Sequence, residues 1–169
     1  MGSIGQNMFV NLEKSIFQIR TFIESEKDIR KLLVIDSSDA LDKEAPTLAQ
    51  TREHILLSPV FDVTEPPYDK NTTMTIVLSK GAYDDEAVLL NGIIKINVLT
   101  RTELWELDNN KIRPLEIANL IIKKLNNQKV SASHKINFEQ IDIAILNENV
   151  SGYTILFHLE EGSGLDEQF

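Results

Sequence analysis

The run IIKINVLTRTELWELDNNKIRPLEIANLIIKKLNNQK, from Ile93 to Lys129, constrains the fold more than any other part of the chain. Ile94, Ile96, Val98 and Thr100 fall on one face of an extended segment, and Ile93, Lys95, Asn97 and Leu99 fall on the other. This β-branched, period-two alternation predicts a strand in a sheet with one covered face. A polar turn around Trp105 follows. Leu115, Ala118, Ile121, Ile122 and Leu125 then recur at three- and four-residue spacing, which predicts an amphipathic helix. Arg113-Pro114 opens it, because proline is tolerated in a first turn where its missing N–H has no intrahelical partner. Lys123, Lys124 and Lys129 lie near the far end, where cations oppose the negative pole of the helix dipole, and Asn126-Asn127 ends the pattern. Nothing in this cassette is a catalytic signature. The question becomes what the chain assembles with.

The flanking sequence fills in an α+β domain. Phe9, Leu12, Ile16, Ile19 and Ile23 form an apolar stripe that predicts a helix from Phe9 to Glu26. Ile29–Ile35 is an apolar cluster compatible with a short helix or a strand. The acidic stretch Asp36–Gln50 reads as a loop with at most one helical turn. His54–Leu57 and Val60–Val63 flank Ser58-Pro59, and a proline there marks a strand start or a sheet edge. Thr72–Leu78 alternates as a strand, whereas Glu65–Asn71 and Ser79–Glu86 read as loops. Asn91-Gly92 is a hairpin signal, since both residues accept positive φ. Ile136–Leu146 and Tyr153–Leu159 complete the pattern as two strands around Asn147–Gly152. The expected architecture is an antiparallel or mixed sheet of about five or six strands. An N-terminal helix and a second helix pack on one face, in a single domain over 1–160 with an acidic tail at 161–169.

Composition removes several classes of function. There is no cysteine, so disulfides and thiolate metal sites are absent. The N-terminus lacks the basic start and apolar run of a signal peptide, and no segment approaches the about 20 apolar residues that span a bilayer. The net charge of -9 opposes a surface that grips nucleic acid, because phosphate binding needs lysine and arginine. It is compatible with a wall past which DNA slides.

Three catalytic or metal-binding readings can be tested on residues. His54, His134 and His158 are isolated, with no partner at zincin-like spacing, and His158, in a strand, reads more readily as a core or sheet-face residue. Asp36, Asp39, Asp42 and Glu44 suggest calcium, but no glycine supplies the sharp turn of such a loop. A metal-dependent nuclease wants a Glu-x-Lys strand, and Ile93 occupies the glutamate position before Lys95. The chain is therefore read as a non-enzyme with no cofactor and no metal. Trp105 has two readings, a residue capping the sheet or an interface anchor. Arg113 likewise is a fork bonding carbonyls or carboxylates within the subunit, or one reaching across a subunit boundary.

In sequence order, these pieces resemble the tail-terminator and neck (tail-completion) proteins of tailed bacteriophages. The likeness covers about residues 9–160. It rests on the N-terminal helix, Ile55–Val60 with its proline, Thr72–Leu78, the acidic loop, IIKINVLT, Trp-x-Leu at 105–107, Arg-Pro at 113–114 and the final hairpin. The resemblance implies a virion protein of the neck, assembled in the host cytoplasm. It implies a homo-oligomeric ring, hexameric in such proteins, that caps the tail tube protein and meets the head-connector proteins, with DNA passing only through the lumen. A head-completion or connector protein is the nearest alternative. A nuclease-like enzyme and a monomeric regulatory module are more distant ones. The residues expected at contacts are Trp105, Arg113, Asp84, Asp85 and Glu86, Pro59, and Tyr68 in the Glu65–Asn71 loop. A ring built from one repeated contact is heterologous. Strand addition at an exposed edge is one way to make it, with the strand after Pro59 and the Asn91-Gly92 hairpin as candidate edges.

Overall fold

The computed structural model describes residues 4–57, 70–83, 89–131 and 134–161, and for 4–12, 82–83, 89–91 and 161 the backbone alone. Among these residues the chain forms helix α1 (Ile4–Ser25), α2 (Lys27–Val34) and α3 (Leu48–Arg52). Strands β1 (Ile55–Leu56), β2 (Thr72–Tyr83) and β3 (Leu89–Arg101) follow, then α4 (Arg113–Leu125), β4 (Gln128–Lys129), β5 (His134–Asn147) and β6 (Val150–Glu161). Single 3₁₀ turns lie at Ala40–Asp42 and Thr102–Leu104. The six strands make one mixed, curled sheet in the order β1-β2-β3-β6-β5-β4. Only β1 and β2 pair in parallel. The fold is the expected α+β architecture.

The cassette folds as its periodicity dictates. Ile94, Ile96 and Val98 are fully enclosed on one face of β3. They sit beside Met74 and Ile76 of β2 and Ile155 and Phe157 of β6, their neighbours in the ladders. Ile19 and Ile23 of α1, Leu32 and Leu33 of α2, and Ile117, Ile121 and Leu125 of α4 belong to the same core. Each fully buried aliphatic side chain of this size contributes roughly 1.5–3 kcal/mol relative to exposure. On the opposite face three polar side chains meet across the ladder. Asn97 donates to the Thr75 hydroxyl at 2.8 Å and accepts from the Thr154 hydroxyl at 2.7 Å, across three adjacent strands.

Several boundaries differ from the sequence expectation. The Ile29–Ile35 cluster is helical, and Glu26 caps α2 by accepting from the Asp28 N–H. The supposed loop Asp36–Gln50 ends in α3, opened by a capping box in which Thr47 and Gln50 bond reciprocally. On α4, Ile117 is fully buried while Leu115 and Ile122 are only partly so, which turns the apolar stripe slightly from the expected one. Asn126-Asn127 does end that helix, with Asn127 in the left-handed region at φ 65.

Asn91-Gly92 is not a hairpin turn. Both residues lie inside β3, paired with Ala82 and Gly81 of β2 and with Glu160 and Leu159 of β6. Gly92 is there for space. A Cβ would meet Leu78 Cδ1 at 3.2 Å and the Lys80 carbonyl at 3.3 Å, beside a register shift in β2. β2 also continues through Tyr83, over the first half of the stretch read as the Ser79–Glu86 loop. Ser58–Val63, Glu65–Asp69, Asp84–Glu86 and the tail from 162 lie outside the described residues.

Candidate functional site

Arg113 is the first residue of α4, and its backbone N–H donates to the Trp105 carbonyl at 2.7 Å. Its side chain is wholly buried. Nε donates to Leu104 O at 2.9 Å, Nη1 to Leu32 O at 2.9 Å and Ile35 O at 2.6 Å, and Nη2 to Ser37 O at 2.7 Å. Three of those carbonyls lie at or just past the C-terminal end of α2, where helix carbonyls lack intrahelical partners and favour a cation. Burial pushes the guanidinium pKa below the ordinary arginine value, and the charge of Asp36 opposes that shift. Arginine stays charged regardless. Of its two readings, the structure realises the fork within the subunit; a side chain with no exposed surface offers nothing to a neighbour.

Trp105 is half-buried. Its indole N–H reaches the Thr100 carbonyl at 3.4 Å, and its ring lies 6.2 Å from that of Tyr153 at a 31° tilt. Tyr153 on β6 is the ladder partner of Ile143 on β5. Trp105 is therefore one side chain removed from the least covered part of the sheet.

That part is the outer edge of β5. β4 pairs only with Lys135 and Ile136, and the Asn126 side chain accepts from the Phe138 N–H at 2.8 Å. From Glu139 to Asn147, no described residue pairs with the side of β5 facing away from β6. Register shifts at Phe138/Gln140 and Ile145/Asn147 bracket a regular stretch between them. On the helix-bearing face of this stretch, Ile141 is half-buried against the core, but Ile143 is 70% and Ile145 76% exposed. The far end is fixed by a turn at Glu148-Asn149, where Asn147 Oδ1 accepts from the N–H of Asn149 and of Val150. Sequence reading placed these isoleucines in a strand correctly. It had no signal for strand order, and strand order makes them an edge.

The histidines and several other ionisable groups elsewhere are engaged in structural contacts. His54 Nδ1 lies 2.8 Å from the Thr72 carbonyl, Ser131 Oγ lies 3.0 Å from His134 Nδ1, and His158 Nδ1 lies 3.5 Å from Glu139. In a polar cleft lined by Asp36, Glu53, His54, Lys70 and Asn71, Asp36 accepts from Asn71 at 2.6 Å and Glu53 from Lys70 at 3.0 Å. Asp39 of the acidic stretch pairs with Lys43 at 2.6 Å. The buried carboxylate of Glu24 is gripped by the Arg52 fork at 3.0 Å from both Nε and Nη2. Among the described residues, no three His, Asp or Glu side chains cluster as metal ligands, and no helix is long and apolar enough to cross a membrane. Pro59, Tyr68, Asp84, Asp85 and Glu86 lie outside the described residues.

The described surface is that of an α+β protein whose most exposed large apolar side chains lie along an unpaired strand edge. The model of the YomW family matches residues 26–159, and the chain belongs to that family. The match takes in α2 to α4 and the described strands, β6 as far as Leu159, while α1, which lends Ile19 and Ile23 to the core, precedes it. No curated protein matches the chain.

Proposed function

We propose that this protein is a structural component of a tailed-bacteriophage neck, a tail terminator that forms a ring on the end of the tail tube and presents a surface to the head connector. The observation that carries an assembly role is the β5 edge. Two isoleucines at 70% and 76% exposure, beside strand backbone that no described residue pairs, are an aggregation liability in a protein that acts alone. In a protein that assembles, they are a contact. The neck assignment comes from the order of the pieces: the N-terminal helix, the Thr72 strand, the Ile93 strand, Trp-x-Leu in the connection before α4, the Arg-Pro helix and the final hairpin. DNA would pass the ring without being gripped, as the charge of -9 favours.

The test is negative-stain imaging of the purified protein mixed with tail tubes of the same virus. Closed rings or caps on tube ends are expected. Tubes whose ends stay bare and continue to elongate would overturn the reading.

A further inference from the structure

We infer that, off the tail, the β5 edge is occupied by β5 of a second copy of this chain, paired antiparallel about a two-fold axis at Ile143. This deepens the assembly reading of that edge and takes the edge as a contact from it.

Where no described residue pairs with it, the outer backbone of Glu139–Asn147 can join a ladder only with another extended segment, because its N–H and C=O groups are spaced for one. The side chains then select the segment. In an antiparallel pair about a two-fold axis perpendicular to the sheet, both copies keep their helices on the same side. Centring on Ile143 sets Ile143 against Ile143, Ile141 against Ile145, and Ile145 against Ile141, so each of the three isoleucines meets an isoleucine. On the other face Asp142 meets Ala144 and Gln140 meets Leu146, so no carboxylate opposes another. Shifting the centre by one residue toward the N-terminus opposes Asp142 to Asp142, and like charges directly opposite are destabilising. Shifting it one residue the other way keeps the charges apart but pairs Ile141 with Asn147, losing an apolar contact. The sequence of this one strand is thus complementary to itself in one register.

A two-fold contact of this kind is closed. It hides Ile143 and Ile145 and joins the two sheets edge to edge without leaving a further β5 free to propagate. The free protein would be held as a dimer, and a head-to-tail ring contact would have to displace or bypass it.

Because the chain has no cysteine, the register can be read by single-cysteine cross-linking of the full-length protein. Directly opposed residues in an antiparallel pair have Cα atoms about 4.5–5.5 Å apart, within disulfide reach. Ile143→Cys should form a disulfide dimer under mild oxidation, while Ala144→Cys, offset from its own copy by two positions, should not. Wild-type protein should sediment at twice the 19.1 kDa chain mass at high concentration, and Ile143→Asp should raise the dissociation constant at least about tenfold while keeping the wild-type far-ultraviolet circular dichroism. Cross-linking confined to Ile143→Cys supports the inference. A wild-type mass of one chain at every concentration, or equal cross-linking at 143 and 144, overturns it. Dimers that cross-link at 143 but leave tube ends bare would remove the neck assignment and keep the two-fold contact. Capped tubes without cross-linking would do the reverse.

Discussion

Arg113 Nη1 lies 2.6 Å from the carbonyl oxygen of Ile35, tying the first residue of α4 to the C-cap of α2 across 78 residues of chain. With the bonds to Leu32, Ser37 and Leu104, the guanidinium satisfies four carbonyls from two separate segments. Arg113→Met should destabilise the fold by about 3–5 kcal/mol, because the Leu32, Ile35 and Leu104 carbonyls lose their guanidinium donor, and only Ser37 keeps another, the Ala40 N–H at 3.2 Å. Arg113→Lys should recover only part of that loss, since an ammonium has three donors and no planar fork. Urea unfolding followed by tryptophan fluorescence would read both. If Arg113→Met cost less than about 1 kcal/mol, water would have to reach the carbonyls and the site would not be the lock described.

Gly152 makes a second, sharper prediction. It is buried in β6, and a Cβ there would lie 2.9 Å from the Val98 carbonyl carbon and 3.2 Å from Leu99 Cα, with the Val98 carbonyl oxygen closer still. Those are backbone atoms of the adjacent strand and cannot turn aside. Gly152→Ala should separate β3 from β6 locally and lower the melting temperature severely. Gly92→Ala meets the end of the Leu78 side chain at 3.2 Å, which can rotate, and the Lys80 carbonyl at 3.3 Å, a much looser approach than at Gly152, and should be milder. Equal melting temperatures for the two variants would contradict the geometry.

The contrast between these glycines shows what the sequence carried. β-Branched alternation in Ile93–Thr100 and the Arg113-Pro114 opening of α4 are local signals, and both elements formed where those signals lie. Asn91-Gly92 is the same dipeptide that makes a tight turn, but here Leu78 and Leu159 fill the space over Gly92, and that demand is made by other strands. Thr47 and Gln50 did carry a local signal, the capping box of α3, which the acidic composition around them obscured. For Arg113 the residue type offered a fork within the subunit or across a boundary, but neither its partners nor the β5 edge was legible. One depends on where α2 ends in space, and the other on β5 lying outside β6.

The exposed pair Asp39–Lys43 gives a titration without a large energy. The Lys43 ammonium, followed by the Ser37 hydroxyl, bonds to the Asp39 carboxylate and lowers its pKa from the ordinary 3.8. Asp39 in turn raises Lys43 from 10.5. The carboxylate's contribution to stability is present above pH 3.8 and is lost as pH falls through the lowered folded value. The lysine's contribution is present below pH 10.5 and is lost as pH rises through its raised folded value. Carboxyl-carbon NMR should show Asp39 titrating below 3.8, and Lys43→Met should move the midpoint upward, with Ser37 retaining part of the shift. The neutral-pH melting temperature should hardly change, because both side chains are solvated. An Asp39 midpoint unaffected by Lys43→Met would show that the pair does not form in solution.

Trp105 provides a built-in reporter for the β5 edge. It is the sole tryptophan, half-buried, with its ring 6.2 Å from Tyr153, whose ladder partner is Ile143. Pairing a second β5 against the first would cover Ile143 and draw water away from Tyr153 and the nearby indole. Emission should therefore move to shorter wavelength, and iodide quenching should weaken, as protein concentration rises through the association range. Ile143→Asp should hold both signals at their dilute values, whereas Lys129→Ala on the short strand β4 should leave the concentration dependence intact. A Trp105 signal that shifts equally in the Ile143→Asp variant would place the contact elsewhere on the molecule, because that substitution alters the edge without touching the indole's bond to Thr100.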